Sequence, residues 1–280
     1  MIKTLFTLLT GIFFSFSLFA QGNSVKPPNY NSGQSSSSSS NGCILGDCQN
    51  GWGGFKYYNG DYYFGLYKDG MRNYLGAYYY NSGASFIGNW QDNEDGQGIY
   101  INSEGGWKVI THPGFYWPET GCLWGDCDNG FGVYVYDNQD IHVGFWDMAG
   151  EKHLFGAQFW TDGDFWIGVY NHGDRDSDAH GIYAWDDGTY EIYTDAINYL
   201  RGGTECKYGD CDYDFGIYWW ESGDHHTGYW DDGYQDYLSF KFWADGDFFF
   251  GLYKDGERLN RGFYVYEDGS VEARTSRVSY

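Results

Sequence analysis

Three sets of residues have the types and spacing to do chemistry. Six cysteines fall in three Cys-x4-Cys pairs, Cys43/Cys48, Cys122/Cys127 and Cys206/Cys211. An even number at a repeated local spacing, with no histidine recurring beside the pairs, favours disulfides over zinc. Each bridge would close a loop of about six residues and add roughly 2 kcal/mol on the chain-entropy model. Asp174, Asp176 and Asp178 in GDRDSDAHG open like a calcium loop, but Ala179 stands at the sixth position and Trp185 at the twelfth, where glycine and a carboxylate are needed. Asp210, Asp212 and Asp214 share the spacing and the deficit, so no metal is expected at either place. His142 and the pair His225 and His226 lie in strand-like runs without ligand spacing and are expected to be exposed strand histidines. No HExxH, GxSxG, phosphate loop or cysteine–histidine nucleophile motif occurs. With 39 acidic residues, no glycosidase-like carboxylate pair can be singled out. The reading is a non-catalytic protein without a cofactor.

The third set is aromatic. Trp160, Trp185, Trp220 and Trp243 recur at one strand position. Tyrosine and tryptophan combine an apolar face with a polar handle, so such a set suits a platform for a sugar chain or a peptide. The same rings could instead fill a core. One ring cannot do both full time.

The elements that must carry these residues are strands. Aromatics make up 22% of the chain, with 43 glycines and only four prolines, a composition suited to pleated surfaces punctuated by turns. GAQFWTDGDFWIGVYNHGD, from Gly156, shows the unit: a run of period two stopped by Asp-Gly, then a return strand with Gly168 and, two residues on, Tyr170. The first-strand pattern recurs from Gly53, Gly76, Gly98, Gly132, Gly156, Gly181, Gly216, Ser239 and Gly262. The return pattern recurs at Gly65, Gly88, Gly144, Gly168, Gly228 and Gly251, and is missing around Trp107, Tyr190 and Val271. One hairpin of this size cannot fold alone, so the units must stack. Alternation places Ile99/Ile101, Val133/Val135, Ala157/Phe159, Ile182/Ala184, Phe240/Phe242 and Phe263/Val265 on one face. Tyr78/Tyr80, Tyr134/Tyr136, Tyr183/Trp185, Tyr218/Trp220 and Tyr264/Tyr266 lie on the other.

A longer period overlies the short one. GCILGDCQNGWGG, GCLWGDCDNGFGV and ECKYGDCDYDFGI each open a group of three units, dividing the chain into modules at 42–120, 121–203 and 204–280. Residues 1–20 read as a signal peptide, with Lys3 before an apolar run and a small-residue exit at Ala20. Residues 21–41 are a Pro/Ser-rich linker. Export to the periplasm, the outer surface or the medium is expected.

FIGNWQDNEDGQGIYINSEG from Phe86 and FFGLYKDGERLNRGFYVYEDG from Phe249 resemble the MORN repeat, whose ideal unit is approximately YxGxWxxGxxxGxGxYxxxDG. The Cys-x-x-Gly-Asp-Cys lead-in is similar to the segment that often precedes such repeats in bacterial exported proteins. The resemblance covers nearly everything after residue 42. It implies an all-β, elongated open antiparallel sheet of successive hairpins, serving as a scaffold or binding surface. The departures are Ser239 for the opening glycine, Gln139 for the turn glycine, and the truncated third units.

The net charge of −23 repels nucleic acid and anionic membrane surfaces. Basic proteins, cations or neutral glycans fit that charge better; the expected partner is a protein, and a glycan is the alternative. Much of the acid lies at turns, where it serves turn chemistry.

Overall fold

The structure, a computed structural model, describes residues 41–173, 175, 180–194, 204–277 and 280. Residues 1–40, where a signal peptide and most of a linker are expected, and Asp174, Asp176 and Asp178 lie outside the described residues. Every described element is a strand. Sheet one holds β1 (Gly42–Gly46), β2 (Trp52–Lys56), β3 (Tyr62–Lys68), β4 (Met71–Tyr79), β5 (Ser85–Gln91), β6 (Glu94–Ile101) and β7 (Trp107–Ile110). Sheet two holds β8 (Gly121–Gly125), β9 (Phe131–Val135), β10 (Ile141–Trp146), β11 (Lys152–Phe159), β12 (Phe165–Tyr170), β13 (His180–Ala184) and β14 (Tyr190–Thr194). Sheet three holds β15 (Glu205–Gly209), β16 (Phe215–Trp219), β17 (His225–Asp231), β18 (Tyr234–Phe242), β19 (Phe248–Lys254), β20 (Glu257–Val265) and β21 (Val271–Thr275). Each is an open antiparallel meander in chain order. The truncated third units supply β7, β14 and β21, the last strand of each sheet, so the lost pattern marks a sheet edge.

A column of glycines crosses each sheet. Gly53, Gly65, Gly76, Gly88 and Gly98 stand opposite one another in successive pairs of sheet one. Side chains are excluded there because rings lie flat on the backbone: a Cβ on Gly65 would come 2.6 Å from the Tyr63 hydroxyl, and one on Gly251 2.3 Å from Phe249. In sheet three Ser239 takes this place, with its Oγ 3.2 Å from His226 Nε2. Gln139 fills the turn-glycine position at φ +74°, and its Oε1 accepts a bond from Trp117 N at 2.7 Å.

All three Cys-x4-Cys pairs are disulfides, Cys43–Cys48, Cys122–Cys127 and Cys206–Cys211, which fits an oxidising compartment. Loop closure, the role expected of them from spacing, is only part of what they do. Cys43, Cys122 and Cys206 are exposed on the first strand of each sheet, but Cys48, Cys127 and Cys211 are buried, at 7%, 9% and 9% exposure. The reason is the glycine that follows. The sulfurs of Cys48, Cys127 and Cys211 press on the glycine at the start of the next strand, within 2.9 Å of where a Cβ on Gly53, Gly132 or Gly216 would sit. Each bridge therefore pins an exposed edge strand to the packed layer beneath it. The intervening Asp47, Asp126 and Asp210 accept bonds from the two backbone amides that follow each second cysteine. Asp210 is thus a turn cap. Replacing Cys122 and Cys127 together by serine is expected to cost about 2 kcal/mol, read from the chemical-denaturation midpoint.

The sequence left open whether the modules continue one sheet, and the structure shows that they do not. The three sheets turn their aliphatic faces inward onto one core, with Ile99, Ile101, Val133, Val135, Phe240, Val265 and their face-mates at 0–1% exposure. Equivalent residues meet about a pseudo-threefold axis. Trp52, Phe131 and Phe215 form a triangle, with ring centroids 5.7, 4.4 and 5.1 Å apart. Nearer the last strands Trp107 meets Tyr190 and Phe263 at 4.8 and 4.9 Å. A second set of equivalents ties each sheet to the next hairpin round. Gln97 donates to Trp160 O at 2.6 Å, His180 Nε2 lies 2.5 Å from Gly246 O, and Arg261 donates to Tyr80 O and Ala84 O at 2.8 and 2.6 Å. The last of these closes the ring from sheet three back to sheet one.

Four histidines, His142, His180, His225 and His226, are sealed into this framework at 0% exposure, so the strand histidines expected at the surface are core residues instead. His142, His225 and His226 are fully buried, and burial pushes each well below its usual pKa, with Lys152 or Lys241 adding to the effect. The unfolded chain takes up protons at these sites near pH 6.5 while the folded chain does not, so these histidines withdraw stability as pH falls below that value. The denaturation midpoint is expected to drop between pH 7 and pH 5. Substituting His225 by phenylalanine should flatten that drop.

Candidate functional site

The outward faces are built from the aromatic residues of the repeat, and five of the hairpins assemble a box around a cation. Tyr57, Tyr63, Tyr78 and Trp90 surround the Arg72 guanidinium, at 5.9, 5.8, 4.9 and 4.7 Å from their ring centroids. In sheet two Arg175 lies over Trp160, Trp166 and Tyr183, at 5.1, 5.8 and 4.6 Å. Sheet three places Arg258 over Trp243, Phe249 and Tyr264, at 5.6, 5.4 and 4.2 Å. Lys152 covers Tyr136 and Tyr170 in the same way. These four cations occupy one place in the repeat, two residues past the turn glycine. Gln235 holds that place in the first hairpin of sheet three, and there Lys241 reaches in from β18, 3.4 Å over Trp220. Cation–ring attraction of about 0.5–2 kcal/mol per pair holds the rings at fixed angles.

The turn carboxylates brace the boxes. Asp61, Asp140, Asp164, Asp224 and Asp247 each accept a bond from a backbone amide of the next hairpin, at Asn81, Thr161, Asp186, Ala244 and Glu267, over 2.7–3.0 Å. Three of them also take a tyrosine hydroxyl, from Tyr78, Tyr183 and Tyr264. Burial, helped by that bond, pushes Tyr183 and Tyr264 up to about 12.

Two boxes open into grooves. On sheet three a shallow, open groove of about 620 Å³ is lined by Trp220, Trp243, Lys241, Tyr253 and Arg258, with Ser222, Asp224 and Gln235. On sheet two a groove of about 250 Å³ is lined by Trp166, Tyr183, Trp185, Tyr193 and Arg175. Trp160, Trp185, Trp220 and Trp243 are all half-buried on outward faces. The structure does not bring the four into one ladder. Trp160 and Trp185 flank Tyr183 on sheet two, whereas Trp220 and Trp243 flank Lys241 on sheet three. The cations were missed by sequence reasoning, although an Arg or Lys two residues past the turn glycine recurs visibly. The arrangement offers flat apolar walls with fixed hydrogen-bonding groups at their rims, and no nucleophile–base pair among the groove residues described.

Lys241 is the most perturbed of these cations. It is 6% exposed, and burial pulls its ammonium down to about 7, against the opposing pull of Asp224. Below pH 7 both folded and unfolded chains carry the charge and its burial costs stability. Between pH 7 and about 10.4 only the unfolded chain holds the proton, so stability rises. Lys241→Met is expected to raise the denaturation midpoint at pH 6 and to lose that gain by pH 9.5.

No family model and no curated protein sequence matches the chain.

Proposed function

We propose that this chain is an exported, non-catalytic binding module acting at the cell envelope or outside the cell, and that its ligand is a glycan chain held in the outward grooves. The observation that carries the reading is the groove between Trp220 and Trp243, whose walls are braced from behind by Lys241, Arg258 and the turn carboxylates. Sugar rings present apolar C–H faces edged by hydroxyls. Flat indoles match the faces, and Ser222, Asp224 and Gln235 match the hydroxyls. The rings are already immobilised, so binding loses little side-chain entropy. The net charge of −23 supports this reading over nucleic acid or an anionic membrane as the target.

A protein partner is the second reading, favoured by the same charge, which suits a basic protein, and by the resemblance of the hairpins to MORN repeats. The two separate in affinity electrophoresis against a panel of neutral and acidic polysaccharides. Retardation by one of them, abolished in Trp220→Ala and in Trp243→Ala while both variants keep the wild-type melting temperature within a few degrees, is the expected result. No retardation by any polysaccharide, together with retention of a basic protein from envelope extract, would replace the glycan with a protein ligand.

A further inference from the structure

A second kind of chemistry is gathered on the same sheet as the smaller groove, where the β10–β11 turn, the start of β11 and the turn after β12 come together. Asp147 follows β10, His153 lies in β11, and His172 sits in the turn after β12. One ligand atom from each lies within 4.8 Å of the others. The two imidazoles stack with centroids 4.6 Å apart and planes 28° apart, and His172 Nδ1 is 2.8 Å from Asp147 Oδ2. Asp147 divides its oxygens. Oδ1 accepts from Ala149 N and Glu151 N and fixes the turn, leaving Oδ2 for the cluster.

The repeat itself shows that these residues are not required by the fold. At the turn position of His172, with φ +46°, four other hairpins carry Asp69, Asp92, Asp232 and Asp255, at φ 49–52°. Aspartate is the ordinary residue for that left-handed corner, because its short side chain bonds the local backbone. In sheet one the pair equivalent to His153 and His172 is Asn73 and Asp92, whose side chains share a bond of 3.3 Å. A structural join is therefore available without imidazole, and sheet two departs from it at both positions.

We propose that Asp147, His153 and His172 bind a divalent transition-metal ion. Two imidazoles and a carboxylate suit zinc, nickel, cobalt or copper, and discriminate against calcium and magnesium, which prefer all-oxygen sites. Three protein ligands leave a position for water or for a group from a bound partner. The ion takes the place of the proton shared by His172 Nδ1 and Asp147 Oδ2, and the strongly acidic chain concentrates cations at its surface. The separations in sequence, six and nineteen residues, hid the set from motif reading; the two histidines become neighbours only through the β11–β12 pairing.

The test is isothermal titration of untagged, chelator-treated full chain with Zn2+, with Ca2+ in a parallel run. One saturable Zn2+ site, absent for Ca2+ and weakened roughly tenfold or more in His172→Asp, is expected. His172→Asp restores the residue four other turns use and so keeps the fold, which circular dichroism verifies. His112→Ala should leave the titration unchanged. No saturable Zn2+ binding, or binding equal in His172→Asp and wild type, would overturn the proposal. Because the titration needs no glycan, its failure leaves the groove reading untouched, and the reverse also holds.

Discussion

Trp52→Ala is expected to lower stability by about 3–5 kcal/mol, the range for removing a large buried aromatic. For a chain of this size that is a fall in melting temperature of roughly 6–20 °C. The indole is 6% exposed and stands where the first full strands of all three sheets meet, stacked on Phe215 at 4.4 Å and edge-on to Phe131 at 5.7 Å. The other two vertices cannot close the gap, because each is anchored in its own sheet. Phe131 packs on Phe145, and Phe215 on Tyr229. Trp52→Phe should recover much of the loss, since a ring of phenylalanine size already serves at the other two corners. Equal stability of Trp52→Ala and wild type in a urea titration would mean that the sheets do not share a core.

The second large effect is at Arg261. Its guanidinium donates to Thr275 O at the end of β21 and Ser276 O just after it, and to Tyr80 O and Ala84 O in the β4–β5 turn of sheet one. Arg261→Met is expected to cost roughly 3 kcal/mol. Replacing a buried ion with an apolar side chain can be neutral when both partners go together, but here the acceptors are backbone carbonyls that the substitution leaves behind. Arg261→Lys should not rescue, because a single ammonium cannot span four carbonyls in two directions. The corresponding change at Gln97, which makes the first of the three ring-closing contacts, should cost less because its bonds are uncharged. A urea titration of both variants checks the order.

Much of this architecture is legible in the chain itself. Asp-Gly turns and period-two runs locate the hairpins, and the alternation of Ile99, Ile101, Val133 and Val135 with tyrosines marks the two faces. The Cys-x4-Cys pairs mark where each sheet begins, and the degenerate third units mark where it ends. Spacing alone does not show that Cys48, Cys127 and Cys211 are buried while their partners face solvent, because that asymmetry depends on the glycine each sulfur covers. The packing of three sheets on one another was not readable. Both faces carry apolar residues, so the pattern alone does not say which face is shared, and Trp52, Phe131 and Phe215 occupy equivalent positions whether or not they touch. Gln97, His180 and Arg261 also occupy equivalent positions, but three different side chains perform one task there, which conceals it from a search for repeated letters. The candidate site was half legible. The tryptophans stood out by type and position, yet their division between two sheets follows from the breaks in the pairing at each cysteine lead-in.

The claim on which the functional reading rests is that Trp220 and Trp243 face a ligand and not a neighbouring sheet. Oxidation of surface tryptophans by N-bromosuccinimide, located by mass spectrometry with and without a saturating polysaccharide from the panel, addresses it directly. Both indoles should react early in the free protein, ahead of Trp52 and Trp166, and both should be protected when the polysaccharide is present. Unchanged oxidation of Trp220 and Trp243 in the presence of a polysaccharide that retards the protein would contradict the assignment of the groove.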